Sequence, residues 1–156
     1  MIRELAIVGV GLLGGSAAKA ARAGRLARRL VGIGRDAGRL RPALEDGTLD
    51  AVTTDLAEGV RGAHFVLLAA PVVAIEGRPE QEGRAAPTGA VVTDVGSTKR
   101  NIVRAAERLY AGRPLAFVGS HPLAGSEQSG YKVARVDLFQ GATVIAYSDD
   151  PVAAPK

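Results

Sequence analysis

Short, mostly apolar runs recur along the chain and are separated by longer stretches that are richer in charged residues. The runs comprise residues 5–8, 30–33, 51–53, 64–69, 90–95, 115–118 and 142–146. Successive side chains of a strand point to opposite faces of its sheet, so a strand that is apolar at consecutive positions is buried on both faces. Alternation of such strands with helical stretches predicts an α/β fold with a doubly wound, mainly parallel sheet. Any doubly wound domain fits this pattern alone.

The stretches between the runs differ in how clearly they predict helices. Residues 12–23 are rich in Ala and Leu and predict the first helix, and residues 98–110 predict another. Residues 36–46 predict a second helix, although Pro42 opposes it. A crossover helix is expected over residues 75–87, but the Gly and Pro residues there should break it.

Length and composition point to one globular domain. With 156 residues, of which 47% are hydrophobic, we expect a single domain over residues 1–148 and a Pro- and Ala-rich tail or linker over residues 149–156. The chain contains no Cys. Disulfides and thiolate metal ligands are therefore excluded, and we expect no metal site.

The charge pattern favours a small anionic ligand over a polymer. Lys and Arg total 20 against 16 Asp and Glu, which gives a net charge of +4, but the Arg residues are scattered and aromatic residues make up 4%. This combination argues against nucleic acid. No apolar stretch approaches about 20 residues, so we expect no membrane span. The first residues lead directly into a strand, so we expect no signal peptide and a cytoplasmic protein.

The turn after the first apolar run has the spacing G-x-G-x-x-G. It consists of Gly9, Val10, Gly11, Leu12, Leu13 and Gly14. The spacing alone is a weak signal, but here it follows a predicted strand and opens a predicted helix, which is typical of a Rossmann-type dinucleotide-binding domain. Gly9 permits the tight turn, Gly11 lets the backbone approach a pyrophosphate, and Gly14 lets the helix pack closely on the strand. The alternative is a glycine-rich turn without a ligand.

The end of the second strand is expected to select the cofactor. NAD enzymes usually carry an acidic residue there that binds the ribose 2′-hydroxyl. In this chain Gly34 stands at that position and Arg35 follows it. A small residue leaves room for a 2′-phosphate and a guanidinium pairs well with it, so NADP is preferred over NAD. Asp36 leaves NAD open if the strand is longer; otherwise it is an N-cap of the next helix.

Two further segments follow the carboxyl ends of predicted strands, where open parallel sheets bind ligands. One contains Ser97 and Lys99, and the other contains His121 in a predicted loop of small residues. An imidazole can accept a proton near neutral pH, so His121 is a candidate base, although a surface histidine without a role is the alternative. Ser97 either binds substrate or caps a helix, and Lys99 either attracts an anion or lies on a helix surface. His64 begins an apolar run and is expected to be structural.

These segments together resemble the prephenate/arogenate dehydrogenase family, specifically its nucleotide-binding domain. The resemblance covers residues 1–148 and is carried by the glycine turn with Gly15-Ser16, by Asp94-Val95-Gly96-Ser97-Thr98-Lys99 and by His121-Pro122-Leu123-Ala124-Gly125-Ser126-Glu127. Ser129-Gly130 and Leu138-Phe139-Gln140-Gly141 continue it. The histidine-containing run is the most specific of these pieces, since many dehydrogenases share the first.

The resemblance implies an enzyme of tyrosine biosynthesis that oxidatively decarboxylates prephenate or arogenate with NAD(P). It implies that His121 accepts the hydroxyl proton, that Ser97 binds the same hydroxyl, and that Ser126 and Glu127, with Lys99, contact the anionic substrate. It also implies that the segment after the fourth strand packs against the cofactor, namely Ala70, Pro71 and Val72.

Several points remain open at this stage. Members of the family continue into a helical domain that forms the dimer, so we expect a homodimer only where that domain is present, and activity of this chain alone is open. The choice between prephenate and arogenate is open too. Two other functions compete: an NADP-dependent reductase of the β-hydroxyacid or imine reductase type, which lacks the histidine-containing run, and a nucleotide-binding module without catalysis.

Overall fold

The computed structural model describes residues 1–70, 87–96 and 115–147. The elements in chain order are β1 (Ile2–Val8), α1 (Leu12–Ala23), β2 (Ala27–Ile33), α2 (Ala37–Glu45), β3 (Ala51–Thr53), α3 (Leu56–Val60), β4 (Phe65–Leu68), β5 (Val91–Asp94), β6 (Ala116–Pro122), a 3₁₀ turn (Tyr131–Val133) and β7 (Val144–Tyr147). The predicted helix over residues 98–110, the tail over residues 149–156 and all but the last residue of the predicted helix over residues 75–87 lie outside the described residues.

The described strands form one sheet in the order β3-β2-β1-β4-β5-β6-β7. Strands β1 to β6 are parallel to their neighbours, and β7 pairs with β6 in the antiparallel direction. The order β3-β2-β1-β4-β5-β6 is that of dinucleotide-binding doubly wound sheets, in which the ligand lies where the order reverses, between β1 and β4. The predicted Rossmann-type α/β fold is confirmed.

Both faces of the central sheet are buried, as the continuous apolar runs predict. In β1, Leu5 and Ile7 pack on one face with residues of α1 and α2, whereas Ala6 and Val8 pack on the other face with Leu56 of α3. Alternate side chains of one strand therefore belong to two separate clusters. Because apolar area on both sides is removed from water, this strand is held at the centre of the domain.

Local hydrogen bonds explain where two helices begin. Asp36 caps α2 by accepting hydrogen bonds from the backbone amides of Gly38 and Arg39. This cap and the buried Leu40 keep the helix continuous through Pro42. Helix α3, which the apolar pattern did not predict, is capped in the same way by Asp55. In the described ranges, no helix is both long and apolar enough to cross a membrane.

Candidate functional site

The glycine-rich turn joins β1 to α1, and its three glycines differ in what a side chain at each position would meet. Gly9 has φ +94° and a Cβ there would lie 2.6 Å from the amide nitrogen of Ala70. A Cβ at Gly14 would lie 2.0 Å from the carbonyl oxygen of Gly9. In contrast, a Cβ at Gly11 would meet no atom within 4 Å. Gly9 and Gly14 are thus required by the protein itself, whereas Gly11 leaves open space beside the turn.

The start of α1 is suited to an anion. Gly11 is its N-cap residue, no side chain caps it in the described part of the chain, and no acidic residue lies in its first turn. The first amide groups of a helix have no acceptor within the helix, and they lie at the positive end of its dipole. With open space at Gly11, these groups fit the pyrophosphate of a dinucleotide.

The end of β2 lies directly beside this turn, because the amide of Gly9 donates to the carbonyl of Ile33 at 2.8 Å. Gly34 follows the strand and is partly buried, and Arg35 is exposed. The carboxylate of Asp36 is engaged in capping α2 and lies 3.8 Å from the guanidinium of Arg39. Asp36 therefore has the structural role that the sequence offered as the alternative to binding ribose.

His121 lies in a strand, so the prediction that it stands in a loop is wrong. Strand β6 extends to Pro122 because β7 pairs with its second half, with Ile145 opposite His121. The sequence around His121 consists of small and polar residues that do not indicate a strand, and the pairing partner comes much later in the chain. The histidine is partly buried.

The turn and His121 share one edge of the sheet. Gly9 follows the carboxyl end of β1, and His121 stands at the carboxyl end of β6. Strand β6 is parallel to β1, because β1 pairs in parallel with β4, β4 with β5, and β5 with β6. Three strand spacings separate β1 from β6, a distance of about 14 Å along the edge. This is the edge at which doubly wound sheets bind their ligands.

Asp94 joins the ends of β5 and β6. Its side chain is only 2% exposed. Oδ1 accepts a hydrogen bond from the amide of Ser120 at 3.0 Å, and Oδ2 accepts one from the amide of Gly96 at 2.8 Å. The hydroxyl of Ser120 in turn donates to the backbone carbonyl of Asp94. The residue before His121 is thus held by a buried carboxylate.

The remaining predicted site residues are placed only in part. Ser126 and Glu127 lie on the exposed segment after β6, where the Ser126 hydroxyl accepts a hydrogen bond from the amide of Gln128 at 3.2 Å. Ala70 is partly buried and adjoins the glycine turn. The other four predicted residues lie outside the described residues: Pro71, Val72, Ser97 and Lys99. In the described ranges, no group of three or more His, Asp or Glu is placed to hold a metal ion.

The segment that follows this exposed stretch docks on α1. A Cβ at Gly15 would lie 2.7 Å from the ring of Tyr131, and the amide of Arg135 donates to the hydroxyl of the fully buried Ser16 at 2.9 Å. Lys19 lies over the same ring at 4.7 Å and donates to the carbonyl of Ala134 at 3.1 Å. The Gly15-Ser16 pair after the cofactor turn therefore receives this segment.

A hydrogen-bond cluster closes the docked segment against α2. The hydroxyl of Tyr131 donates to Asp46 at 2.6 Å and lies 2.8 Å from the hydroxyl of Thr48. Burial and the bond to Asp46 raise the pKa of Tyr131 to about 12. Burial by itself would raise the pKa of Asp46, but the bonds from Tyr131 and Thr48 outweigh it, so this pKa lies below its usual value.

Comparison with known proteins agrees with this geometry. The profile of the family described as prephenate dehydrogenase, nucleotide-binding domain, matches residues 17–150. A prephenate dehydrogenase from Lactococcus lactis subsp. cremoris (strain MG1363) is 32% identical over 142 residues, which cover 90% of this chain and 40% of the relative. The chain belongs to the prephenate dehydrogenase family.

Two solved structures of this family superpose closely on the domain. Synechocystis arogenate dehydrogenase matches with a TM-score of 0.83 and 30% identity, over 96% of this chain and 52% of that protein. Prephenate dehydrogenase from A. aeolicus, solved with hydroxyphenyl propionate and NAD⁺, matches with a TM-score of 0.79 and 30% identity, over 94% and 50%. The chain thus spans between two fifths and about half of the length of these relatives.

The resemblance to the family includes Asp94 without giving it a role, and Ser120 lies just before the histidine-containing run. One signal pointed to Asp94, since it is the only charged residue in the apolar run over residues 90–95. An aspartate is almost never fully buried unless it is paired or hydrogen-bonded. The docking of Tyr131 on Gly15 had no comparable signal, because it joins residues from opposite ends of the chain.

Proposed function

We propose that this chain is the nucleotide-binding part of an NAD(P)-dependent dehydrogenase that oxidatively decarboxylates prephenate or arogenate. The observation that carries the proposal is the shared sheet edge, with the open glycine turn at the end of β1 and His121 at the end of β6. The family match supports the choice of substrate, as does the relative that was solved with a hydroxyphenyl carboxylic acid and NAD⁺.

The cofactor is proposed to lie across this edge. The amide groups at Gly11, Leu12 and Leu13 bind the pyrophosphate, helped by the dipole of α1. Val10 belongs to the turn and supports it from the core, in which its side chain is buried. Ala70, which adjoins the turn, contributes apolar contact to the nucleotide, and Pro71 and Val72 continue this role. When bound, a nicotinamide supplies an acceptor for hydride.

The proposed chemistry gives each side chain one task. His121 accepts the proton of the ring hydroxyl, so that the carbonyl forms as hydride leaves the same carbon. Ser97 is proposed to bind the same hydroxyl, while Lys99, Ser126 and Glu127 bind the anionic substrate. Loss of carbon dioxide then makes the ring aromatic, which makes the overall step irreversible.

NADP is the proposed preference over NAD. The carboxylate of Asp36 already accepts two amide hydrogen bonds in the cap of α2. Gly34 places no side chain toward the ribose, and within the described residues no ion pair engages the exposed Arg35. An exposed guanidinium suits a 2′-phosphate.

The wider assignments are proposals of the same kind. Residues 1–148 are proposed as one nucleotide-binding domain that acts in the cytoplasm, followed by a linker over residues 149–156. A homodimer is proposed only for a protein that also carries the helical domain of the family. The partner of the site is a small anionic substrate, and neither nucleic acid nor a membrane is required.

Titration and turnover together test the proposal. Purified chain is titrated with NADP⁺ and NAD⁺ by calorimetry, and formation of reduced nicotinamide is then followed with prephenate and with arogenate. The turnover assay is repeated with the chain fused to the C-terminal half of the Lactococcus lactis relative. Cofactor binding with turnover in the fusion is the expected result. Binding without turnover in either form favours a nucleotide-binding module, and no binding refutes the proposed site.

A further inference from the structure

We infer that Asp94 is a positioning residue of the proposed active site: by binding the amides of Gly96 and Ser120, its buried carboxylate fixes the backbone of His121 beside the end of β5. This inference rests on the proposed function, because it concerns the histidine to which that function assigns proton transfer.

Such a link is needed because the hydrogen-bond ladder between β5 and β6 ends before the two strands do. Their ladder ends at the pair Thr93 and Val118. Among the described residues, no ladder pair beyond this point joins β6 to β5, whereas β6 from Gly119 to Pro122 pairs with β7 on its other edge. Immediately past the ladder, the bond from the Ser120 amide to the Asp94 carboxylate and the bond from the Ser120 hydroxyl to the Asp94 carbonyl link the two strands. The amide of Gly96, in the segment that follows β5, binds the other carboxylate oxygen.

The chemistry of the link specifies an aspartate. Two of the groups that the carboxylate binds are backbone N–H donors, one on each oxygen. An asparagine offers one acceptor oxygen and one NH₂ donor, so it satisfies only one of these amides and turns a donor toward the other. A buried N–H left without an acceptor is costly, and two facing donors repel each other.

The consequence reaches His121 through the backbone. The peptide of Ser120 immediately precedes the histidine, and Ile145 of β7 faces it from the other side. His121 is therefore supported on both sides, by Asp94 and by β7. Catalytic groups must be held to within about 0.5 Å of the productive geometry, so loss of one support should affect reaction more than binding.

The test compares Asp94→Asn with Asp50→Asn, a matched control at the opposite edge. Asp50 also accepts a strand amide, that of Leu30 at 2.7 Å, but it precedes β3. The chain has 2 histidines, so NMR signals of the His121 imidazole can be followed with His64, before β4, as an internal reference. Cofactor is added to each variant, and the change in the His121 signal is measured together with the cofactor Kd.

In the wild-type chain we expect cofactor to shift the His121 signal and to leave His64 unchanged. Asp94→Asn should keep the cofactor Kd within about threefold, because the glycine turn is untouched, but should lose most of the His121 response. Asp50→Asn should retain that response. In the fusion that turns over substrate, Asp94→Asn should lower kcat about 10- to 100-fold with the KM for cofactor unchanged.

Other outcomes overturn the inference. If Asp94→Asn keeps the full His121 response and kcat, the carboxylate only stabilises the fold. If this variant fails to fold, Ser120→Ala removes the hydroxyl bond to the carbonyl of Asp94 and should still weaken the response; an unchanged response refutes the inference. A wild-type chain that binds neither cofactor overturns the proposed function, and the inference with it, which distinguishes the two failures.

Discussion

Substitution of Gly11 by Ala separates the ligand site from the stability of the fold. The added Cβ would meet no protein atom within 4 Å, and Gly11 has φ −100°, which an alanine can adopt. Alanine is a poorer N-cap residue than glycine, but it lowers the entropy of the unfolded chain, and each effect amounts to about 0.5–1 kcal/mol. These terms oppose each other, so we expect Tm to change by less than about 3 °C.

The same methyl group should oppose cofactor binding. It would stand beside the helix amides at which the pyrophosphate is proposed to lie, and it would keep a phosphate from at least one N–H group. A hydrogen bond to a charged group contributes about 1.5–3 kcal/mol, so the loss of one weakens binding about 10- to 150-fold. Gly11→Val fills more of the space and should abolish binding.

Gly14→Ala is the matched comparison in the same turn. Its Cβ would lie 2.0 Å from the carbonyl oxygen of Gly9, so the helix must move away from the strand. Overpacking of this kind costs about 1–3 kcal/mol and should lower Tm by several degrees. Thermal unfolding by circular dichroism and calorimetric titration with NAD⁺ and NADP⁺ measure both effects. Unchanged affinity in Gly11→Ala, or its unfolding, would refute the reasoning.

Three further predictions concern single side chains. Arg35→Ala should weaken NADP⁺ at least tenfold more than NAD⁺ in calorimetric titrations, since one charged pair is lost; equal losses would contradict the proposed preference. His121→Asn should lower kcat of the active fusion about 10²- to 10⁴-fold while cofactor Kd stays within about twofold, and unchanged turnover would remove this residue from the mechanism. Tyr131→Phe should cost about 1–2 kcal/mol in urea unfolding at pH 7, because the hydroxyl bonds to Asp46 and Thr48 are lost. The pKa of Tyr131 is raised to about 12, so the stability advantage of the wild type over this variant should shrink as pH rises from 10 toward 12. The pKa of Asp46 is lowered, so the same advantage should also shrink as pH falls below 3.8. A difference in stability that stays constant with pH would contradict both expectations.

Much of the fold could be predicted from local patterns. The apolar runs located each described strand, because strands that are buried on both faces are mostly apolar at consecutive positions. Strand β7 also follows an apolar run, although its residues are exposed. The glycine spacing predicted the turn between β1 and α1, and its place at the carboxyl edge followed from the parallel direction of the strands. Local reasoning missed the short helix α3 and doubted α2 at Pro42, where the cap of Asp36 and the burial of Leu40 outweigh a weak propensity.

The candidate site was predictable only as a set of segments. His121 was correctly assigned to the edge that carries the glycine turn, but its strand exists because β7 returns to pair with it. The motif containing Asp94 was recognised, whereas its link to Ser120 joins residues that are 26 apart in the sequence. Such contacts arise when strands pack side by side, and periodicity carries no information on them.

The amino-acid sequence by itself determined which segments become strands and helices and where a tight turn requires glycine. It also determined which edge of the sheet carries the candidate site residues. Short-range sterics and the separation of apolar from polar residues suffice for these features. Only the tertiary structure decided what Asp94 holds, why Gly15 and Ser16 follow the turn, and how Tyr131 reaches α1 and Asp46. These contacts join residues up to 119 positions apart, and they form only when packing brings distant parts of the chain together.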